Sequence, residues 1–218
     1  MSLKINILDQ IISHPVIPVY YNDDPNTCLD VMSACYDGGI RVFEFTNRGE
    51  KALENFKVLQ QKRDADYPDL RLGIGTIKTA KQAEVYIKLN ADFIVSPIVS
   101  EELGNITRQH QVFWIPGCMT PSEIAMAEQL GATLVKLFPA NVLGTTFLNG
   151  IKPLFPNLRF MPTGGVEIST EHITSWLQAG VTALGFGSVL FKAPSDASNY
   201  DWLTERCKKI GDVVMSGI

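Results

Sequence analysis

Two ionisable residues lie inside apolar segments of this chain, where a charge is costly. Glu44 stands in the segment Arg41–Thr46 (RVFEFT), and Lys136 stands in the segment Thr133–Phe138 (TLVKLF). Of the twelve lysines, Lys136 is the one with a run of large apolar residues around it. Such a lysine loses hydration, so more of it is the free amine, which is the nucleophilic form. The pair predicts a lysine nucleophile beside a carboxylate that carries protons; the alternative is a buried ion pair that only fixes the register of the strands.

Further candidates follow the same kind of apolar segment. Arg48 lies four residues beyond Glu44, and its planar guanidinium suits a substrate carboxylate, although it could simply solvate the start of the next helix. Thr76 ends the run GIGT and could donate a hydroxyl, while the glycines before it would let a ligand or a backbone segment come close. Phe138 and Pro97 also end apolar segments and could form the walls of a pocket, or merely pack.

Two glycine-rich loops end the last two apolar segments. In barrels of alternating strands and helices, these are the positions where backbone amides and a helix N-terminus commonly bind phosphate, although glycine there can mean only a tight turn. A serine follows the second loop, and this favours the phosphate interpretation. The candidate residues are Thr163, Gly164, Gly165, Gly187 and Ser188.

The elements that would position these residues are eight short apolar segments, whose first residues are 20 to 30 positions apart. Their regular recurrence, with helical sequence between them, predicts consecutive strand–helix units and a parallel sheet. Eight such units favour a closed (β/α)8 barrel, a TIM barrel, over an open doubly wound sheet, and the first strand is not followed by GxGxxG. The predicted strands are Val16–Tyr20, Arg41–Thr46, Arg71–Thr76, Asp92–Pro97, Val112–Gly117, Thr133–Phe138, Arg159–Thr163 and Ala183–Gly187.

The intervening segments carry the start and stop residues of helices. Thr120–Glu123 (TPSE) has the pattern of an N-cap with a proline in the first turn and an acid three residues on. We expect an extra helix over Lys4–Ser13 and a last helix over Asp201–Gly217, with residues 1–218 forming a single barrel domain. Three helices should end at residues that tolerate a left-handed backbone, namely Asn90, Gly131 and Gly180.

Composition excludes several classes of protein. The 218 residues are 45% hydrophobic and 19% charged with a net charge of −4, which is unsuited to nucleic acid or an anionic membrane surface. No basic segment followed by an apolar run opens the chain, and no stretch is long and apolar enough to cross a bilayer. The three histidines are scattered, so we expect no metal site. The four cysteines form no CxxC pair, so we expect a reduced, cytoplasmic setting; they are Cys28, Cys35, Cys118 and Cys207.

Taken in order, these segments resemble the bacterial 2-keto-3-deoxy-6-phosphogluconate / 4-hydroxy-2-oxoglutarate aldolases along nearly the whole chain. Any one segment is a modest similarity, but six in the right order are specific. They are GIRVFEFTNR (39–48), GIGT (73–76), IVSP (94–97), IPG (115–117), VKLFPA (135–140) and PTGG (162–165).

The resemblance implies a class I aldolase, a lyase without a cofactor, that acts on a phosphorylated 2-keto acid of the Entner–Doudoroff type and assembles as a homotrimer. It also implies that Lys136 forms the Schiff base, that Glu44 is the general acid and base, and that Arg48 with Thr76 binds the pyruvate carboxylate. In the family pattern Phe138 and Thr163 lie in the pocket, and Pro97 ends a matching segment. Gly164, Gly165 and Ser188 lie near the phosphate, and Gly187 is adjacent to them.

Two segments depart from the family pattern, and other activities stay open. Asn47 stands where the family usually has an apolar residue, and residues 141–144 (NVLG) replace a more acidic, glycine-rich loop, so both put the substrate preference in question. The alternatives are an aldolase for the galactonate epimer or for unphosphorylated 4-hydroxy-2-oxoglutarate, and a barrel isomerase that uses Glu44 as base. A barrel that binds a sugar phosphate or a partner protein without catalysis is a further alternative.

Overall fold

The computed structural model describes residues 7–217 and consists of eight strands that alternate with helices. The elements are α1 (Ile7–Ser13), β1 (Val16–Tyr20), α2 (Pro25–Asp37), β2 (Val42–Thr46), α3 (Ala52–Asp66), β3 (Arg71–Gly75), α4 (Ala80–Lys88), β4 (Phe93–Ser96), α5 (Glu101–Gln109), β5 (Phe113–Cys118), α6 (Pro121–Gln129), β6 (Leu134–Leu137), α7 (Ala140–Ile151), β7 (Arg159–Pro162), α8 (Thr170–Gln178), β8 (Leu184–Phe186) and α9 (Asp201–Ser216). A short 3-10 helix, Lys152–Leu154, follows α7. The eight predicted strands are all present, with ends that differ by at most one residue.

The strands are parallel and close into a barrel. Each strand from β1 to β6 pairs with the next along the chain, and β1 also pairs with β8. The remaining gap, between β7 and β8, is bridged by Thr163 and Gly185 and by a 2.9 Å hydrogen bond from the amide of Thr182 to the carbonyl of Phe160. The predicted (β/α)8 barrel is therefore confirmed, and the open doubly wound sheet is excluded.

The apolar core has two parts, because alternate residues of each strand point into the barrel and out towards the helices. The larger part lies between the strands and the helices. The smaller part fills the barrel interior and contains Ile11 of α1, which is fully buried, so the predicted extra helix covers the end at which the strands begin. Residues 4–6 of that predicted helix lie outside the described residues. The interior residues are Ile11, Ile17, Val42, Phe93, Val95, Ile115, Leu134, Met161 and Ala183.

The same alternation places polar side chains one layer further along the barrel axis. Glu44, Lys136 and Thr163 each follow an interior apolar residue by two positions, so they face the interior near the ends of β2, β6 and β7. All three are buried. Catalytic residues of (β/α)8 barrels lie at this end of the strands.

Local sequence determines where the helices begin and end, as expected. Thr120 and Glu123 form the reciprocal hydrogen bonds of a capping box at the start of α6. Asn90, Gly131 and Gly180 have φ values of 56°, 90° and 83°, which is the left-handed backbone predicted for these helix ends. Within residues 7–217, no helix has the length and apolar composition that a membrane crossing requires.

Candidate active site

Glu44 and Lys136 come together inside the barrel, although 92 positions separate them in the sequence. Lys136 Nζ lies 3.6 Å from Glu44 Oε1, a distance longer than a hydrogen bond. The side chains are nearly removed from solvent, with 1% of Glu44 and 6% of Lys136 exposed. Neither carboxylate oxygen of Glu44 has a hydrogen-bond partner within residues 7–217. An amine and a carboxylate therefore meet in a buried environment, and no described residue donates a hydrogen bond to the carboxylate.

The electrostatic surroundings of Glu44 favour its neutral form. Burial raises the pKa of the Glu44 carboxyl, and the positive charges of Lys136 and Arg48 oppose that rise only in part. A carboxyl group whose pKa is raised exchanges its proton nearer to neutral pH than an exposed glutamate does. This property suits a group that must accept and return a proton during one reaction.

Gly75 provides the space that the Glu44 carboxylate occupies. A Cβ atom at Gly75 would lie 1.9 Å from Glu44 Oε1, and one at Gly73 would lie 2.2 Å from the ring of Phe93. The sequence suggested that these glycines let a ligand or a backbone segment approach, but in the structure neighbouring side chains fill the space. The reason is that positions 73 and 75 both face the barrel interior, where larger residues from β2 and β4 pack.

Arg48 and Thr76 lie at the ends of the neighbouring strands β2 and β3. Arg48 is exposed and makes no ion pair with any residue that the structure describes. Thr76 has a φ of 62°, a left-handed backbone that is unfavourable for a β-branched residue. Backbone strain of this kind concentrates at functional sites, and here it lies beside the mouth of the barrel.

Two candidate wall residues lie near the ends of strands. Phe138 lies beside Lys136, and Pro97 directly follows β4. Lys136 Nζ is 5.2 Å from the centre of the Phe138 ring. That ring packs against Gly164, whose φ is 86° and where a Cβ atom would lie 3.1 Å from the ring. Pro97 packs closely against Gly117 of β5. A Cβ atom at Gly117 would lie 2.7 Å from the backbone of Pro97. These contacts place Phe138 beside the Lys136 amine and Pro97 beside the end of β5.

Two buried hydroxyls complete the interior of the site. The Oγ1 atoms of Thr46 and Thr163 are buried and have no hydrogen-bond partner in the described part of the chain. Unpaired buried polar atoms are costly and uncommon, so these hydroxyls are suited to binding a substrate. Thr163 was a sequence candidate, whereas Thr46 was not. Its position two residues after Glu44, on the same face of β2, could have identified it.

The two glycine-rich loops present backbone amides at the mouth. Gly164 and Gly165 have positive φ, and a Cβ at Gly165 would lie 2.4 Å from Cβ of Asn141. Within residues 7–217 the amides of Gly164, Gly165 and Ser188 donate to no other backbone group. Residues 187–191 form turns directly after β8, and α9 begins at Asp201, where the sequence predicted the last helix. The amides of this loop are therefore presented by a turn instead of a helix N-terminus.

The chain is similar over most of its length to proteins of known activity. A family model described as "KDPG and KHG aldolase" matches residues 7–205. The chain is 32% identical to the 2-dehydro-3-deoxy-phosphogluconate aldolase of Pseudoalteromonas atlantica, with 94% of each chain covered. It is 30% identical to the KHG/KDPG aldolase of Escherichia coli, covering 89% of this chain and 90% of that one.

A solved structure adds chemical information about a similar protein. The KDPG aldolase of Legionella pneumophila, crystallised with pyruvate captured at low pH as a covalent carbinolamine intermediate, is 29% identical to this chain. Its TM-score is 0.83, and the match covers 95% of this chain and 98% of that one. The family match, the two relatives and the barrel show that this chain belongs to the KDPG and KHG aldolase family.

Proposed function

We propose that the chain is a class I aldolase that cleaves 2-keto-3-deoxy-6-phosphogluconate to pyruvate and glyceraldehyde 3-phosphate through a Schiff base on Lys136. The observation that carries the proposal is the 3.6 Å approach of Lys136 Nζ to Glu44 Oε1 inside the barrel. The names of the relatives support the substrate, and the carbinolamine of the Legionella enzyme supports the covalent chemistry. The substrate belongs to the Entner–Doudoroff pathway, and we assign the chain to that pathway.

The reaction begins when the Lys136 amine attacks the C2 ketone; the carbinolamine then takes up a proton from solvent and loses water. The protonated imine that results accepts electrons from the substrate. Glu44 takes the proton of the C4 hydroxyl as the C3–C4 bond breaks, the electron pair forms an enamine, and the aldehyde leaves. Glu44 then returns a proton to C3, and water hydrolyses the protonated pyruvate imine, which frees the amine and releases one proton to solvent. No cofactor takes part in these steps.

The other site residues bind the substrate in this proposal. The Arg48 guanidinium and the Thr76 hydroxyl hold the carboxylate, while Phe138 and Pro97 enclose the carbon chain and Thr163 donates its hydroxyl. The backbone amides of the two glycine-rich loops bind the phosphate. This role is supported by the amides of Gly164, Gly165 and Ser188, which donate to no other backbone group within residues 7–217. The phosphate ligands in the proposal are Gly164, Gly165, Gly187 and Ser188.

Substrate comparison tests the proposal. We expect kcat/KM for 2-keto-3-deoxy-6-phosphogluconate to exceed that for 4-hydroxy-2-oxoglutarate by about tenfold or more, because the loop amides bind only a phosphorylated substrate. Lys136→Met should abolish cleavage, whereas the control Lys152→Met should retain it, since Lys152 Nζ bonds the carbonyl of Ala179 instead. Equal rates with and without phosphate would overturn the phosphate site, and an active Lys136→Met would overturn the Schiff base.

We also propose a homotrimer in the cytoplasm. Three exposed apolar side chains, Ile98, Met119 and Val142, follow the consecutive strands β4, β5 and β6, and neighbouring exposed apolar residues are typical of interfaces. All four cysteines are buried and free, as a reducing compartment allows. Light scattering on the purified protein should give three times the mass of the chain, and the mass of one copy would contradict the trimer.

A further inference from the structure

Tyr86 is a buried tyrosine that makes a directed contact towards the mouth of the barrel. It lies in α4, is 2% exposed, and packs edge-on against Phe56 of α3 at a ring distance of 5.2 Å. Its hydroxyl donates a 2.9 Å hydrogen bond to Oδ1 of Asn47. Burial raises the pKa of the Tyr86 hydroxyl to about 12, so it remains a proton donor at neutral pH.

Asn47 is held from two directions by this contact and by its backbone. Its amide donates a 2.9 Å hydrogen bond to the carbonyl of Gly75, which ties the end of β2 to the end of β3. Its side chain points to the outside of the barrel, towards Tyr86, because the interior positions of β2 are 42, 44 and 46. Asn47 therefore joins two strand ends and one helix.

Both residues of the proposed carboxylate site adjoin this junction. Arg48 follows Asn47 in the chain, and its amide donates a 3.0 Å hydrogen bond to the carbonyl of Thr46, forming a tight turn. Thr76, with its left-handed backbone, follows Gly75. A shift of Asn47 would move Arg48 directly and would release the strand end that carries Thr76.

We infer that the Tyr86–Asn47 hydrogen bond positions Arg48 and Thr76 for the carboxylate of the substrate, which makes Tyr86 and Asn47 positioning residues for substrate binding. The inference rests on the proposed function, because it takes Arg48 and Thr76 as the carboxylate ligands. It adds two residues that lie outside the interior of the barrel and do not contact the reacting atoms.

The inference predicts a change in binding that is separate from the chemical step. Borohydride inactivation at increasing pyruvate concentrations gives a half-saturating concentration and a maximal rate. Tyr86→Phe keeps the packing of the ring but loses the hydroxyl, so the half-saturating concentration should rise about fivefold, the effect of one hydrogen bond. The maximal rate should stay within about twofold, because Lys136 and Glu44 are not displaced.

Matched variants separate positioning from a general loss of stability. Tyr36 lies in α2, and its hydroxyl donates a hydrogen bond to Asp69. Tyr36→Phe therefore also removes one tyrosine hydrogen bond, but it should leave the half-saturating concentration of pyruvate unchanged. Asn47→Leu should reproduce the effect of Tyr86→Phe, and the double variant should show no further increase, because both changes break the same bond. When Arg48 is already replaced by methionine, Tyr86→Phe should raise the half-saturating concentration of pyruvate much less, because the residue that it positions is gone.

The results that would overturn the positioning inference differ from the result that would overturn the aldolase proposal. An unchanged half-saturating concentration in Tyr86→Phe, or an equal rise in Tyr36→Phe, would overturn the inference while leaving the aldolase proposal intact. Additive effects of Tyr86→Phe and Asn47→Leu would also overturn it. Failure of pyruvate and borohydride to modify the unsubstituted protein at Lys136 would instead overturn the proposed function.

Discussion

Glu44 occupies a position that is unfavourable for a charged side chain, and this cost supports the role proposed for it. A buried ion pair rarely repays the desolvation of both partners, and a pair that only fixed the strands would be expected to have its oxygens satisfied by hydrogen bonds. Here both carboxylate oxygens lack hydrogen bonds among the described residues, and the amine of Lys136 is 3.6 Å away. The arrangement suits two groups that exchange bonds with a substrate better than two groups that bind each other.

Replacing Glu44 by glutamine should lower kcat for cleavage by about 100-fold or more, because the amide cannot carry the proton. The side chain keeps its size, and circular dichroism would verify that the variant is folded. Glu54→Gln is the control, since the Glu54 carboxylate lies on the surface in an ion pair with Lys51. A kcat within about threefold of the unsubstituted protein would show that Glu44 is not the proton carrier.

The acidic side of the pH profile should report Glu44 and respond to Arg48. Glu44 accepts a proton only when ionised, so kcat/KM should increase as the pH rises through its pKa. The positive charge of Arg48 lowers that pKa, so Arg48→Met should move the midpoint to higher pH. Arg108→Met, on the surface of α5, should leave the midpoint in place. A midpoint that is unchanged, or lower, in Arg48→Met would contradict this assignment.

At the scale of the elements, the sequence predicted what neighbouring residues determine. Strand positions, the capping box at Thr120 and the left-handed helix ends at Asn90, Gly131 and Gly180 follow from apolar runs and from short-range backbone preferences. The space at Gly75 could not be predicted in the same way, because the side chain that fills it comes from another strand.

Substituting alanine at two glycines should have opposite effects. Gly75→Ala would bring Cβ to 1.9 Å from Glu44 Oε1, so we expect a loss of stability of about 1–3 kcal/mol together with a large loss of activity. Gly211 lies within α9, and a Cβ atom there would meet nothing within 4 Å beyond the adjoining backbone of its own helix, so Gly211→Ala should stabilise the protein by about 0.5–1 kcal/mol. Chemical denaturation would measure both values. Full activity in Gly75→Ala would show that the space beside Glu44 is not required.

At the scale of the whole molecule, closure of the barrel assembles the site. Glu44, Thr76, Lys136 and Thr163 come from segments separated by as many as 119 positions, yet they lie at one end of a single ring of strands. The sequence could predict this convergence because parallel strands in a (β/α)8 barrel end at the same face. It could not predict the Tyr86–Asn47 contact, since that bond depends on how α4 packs against the strands.

The central claim is that the Lys136 amine forms a covalent imine with a 2-keto acid. The most direct measurement is borohydride reduction in the presence of pyruvate, followed by mass spectrometry of the peptides. We predict one added reduced pyruvate on Lys136 and none in Lys136→Met. Modification of a different lysine, or of no lysine at all, would contradict the claim.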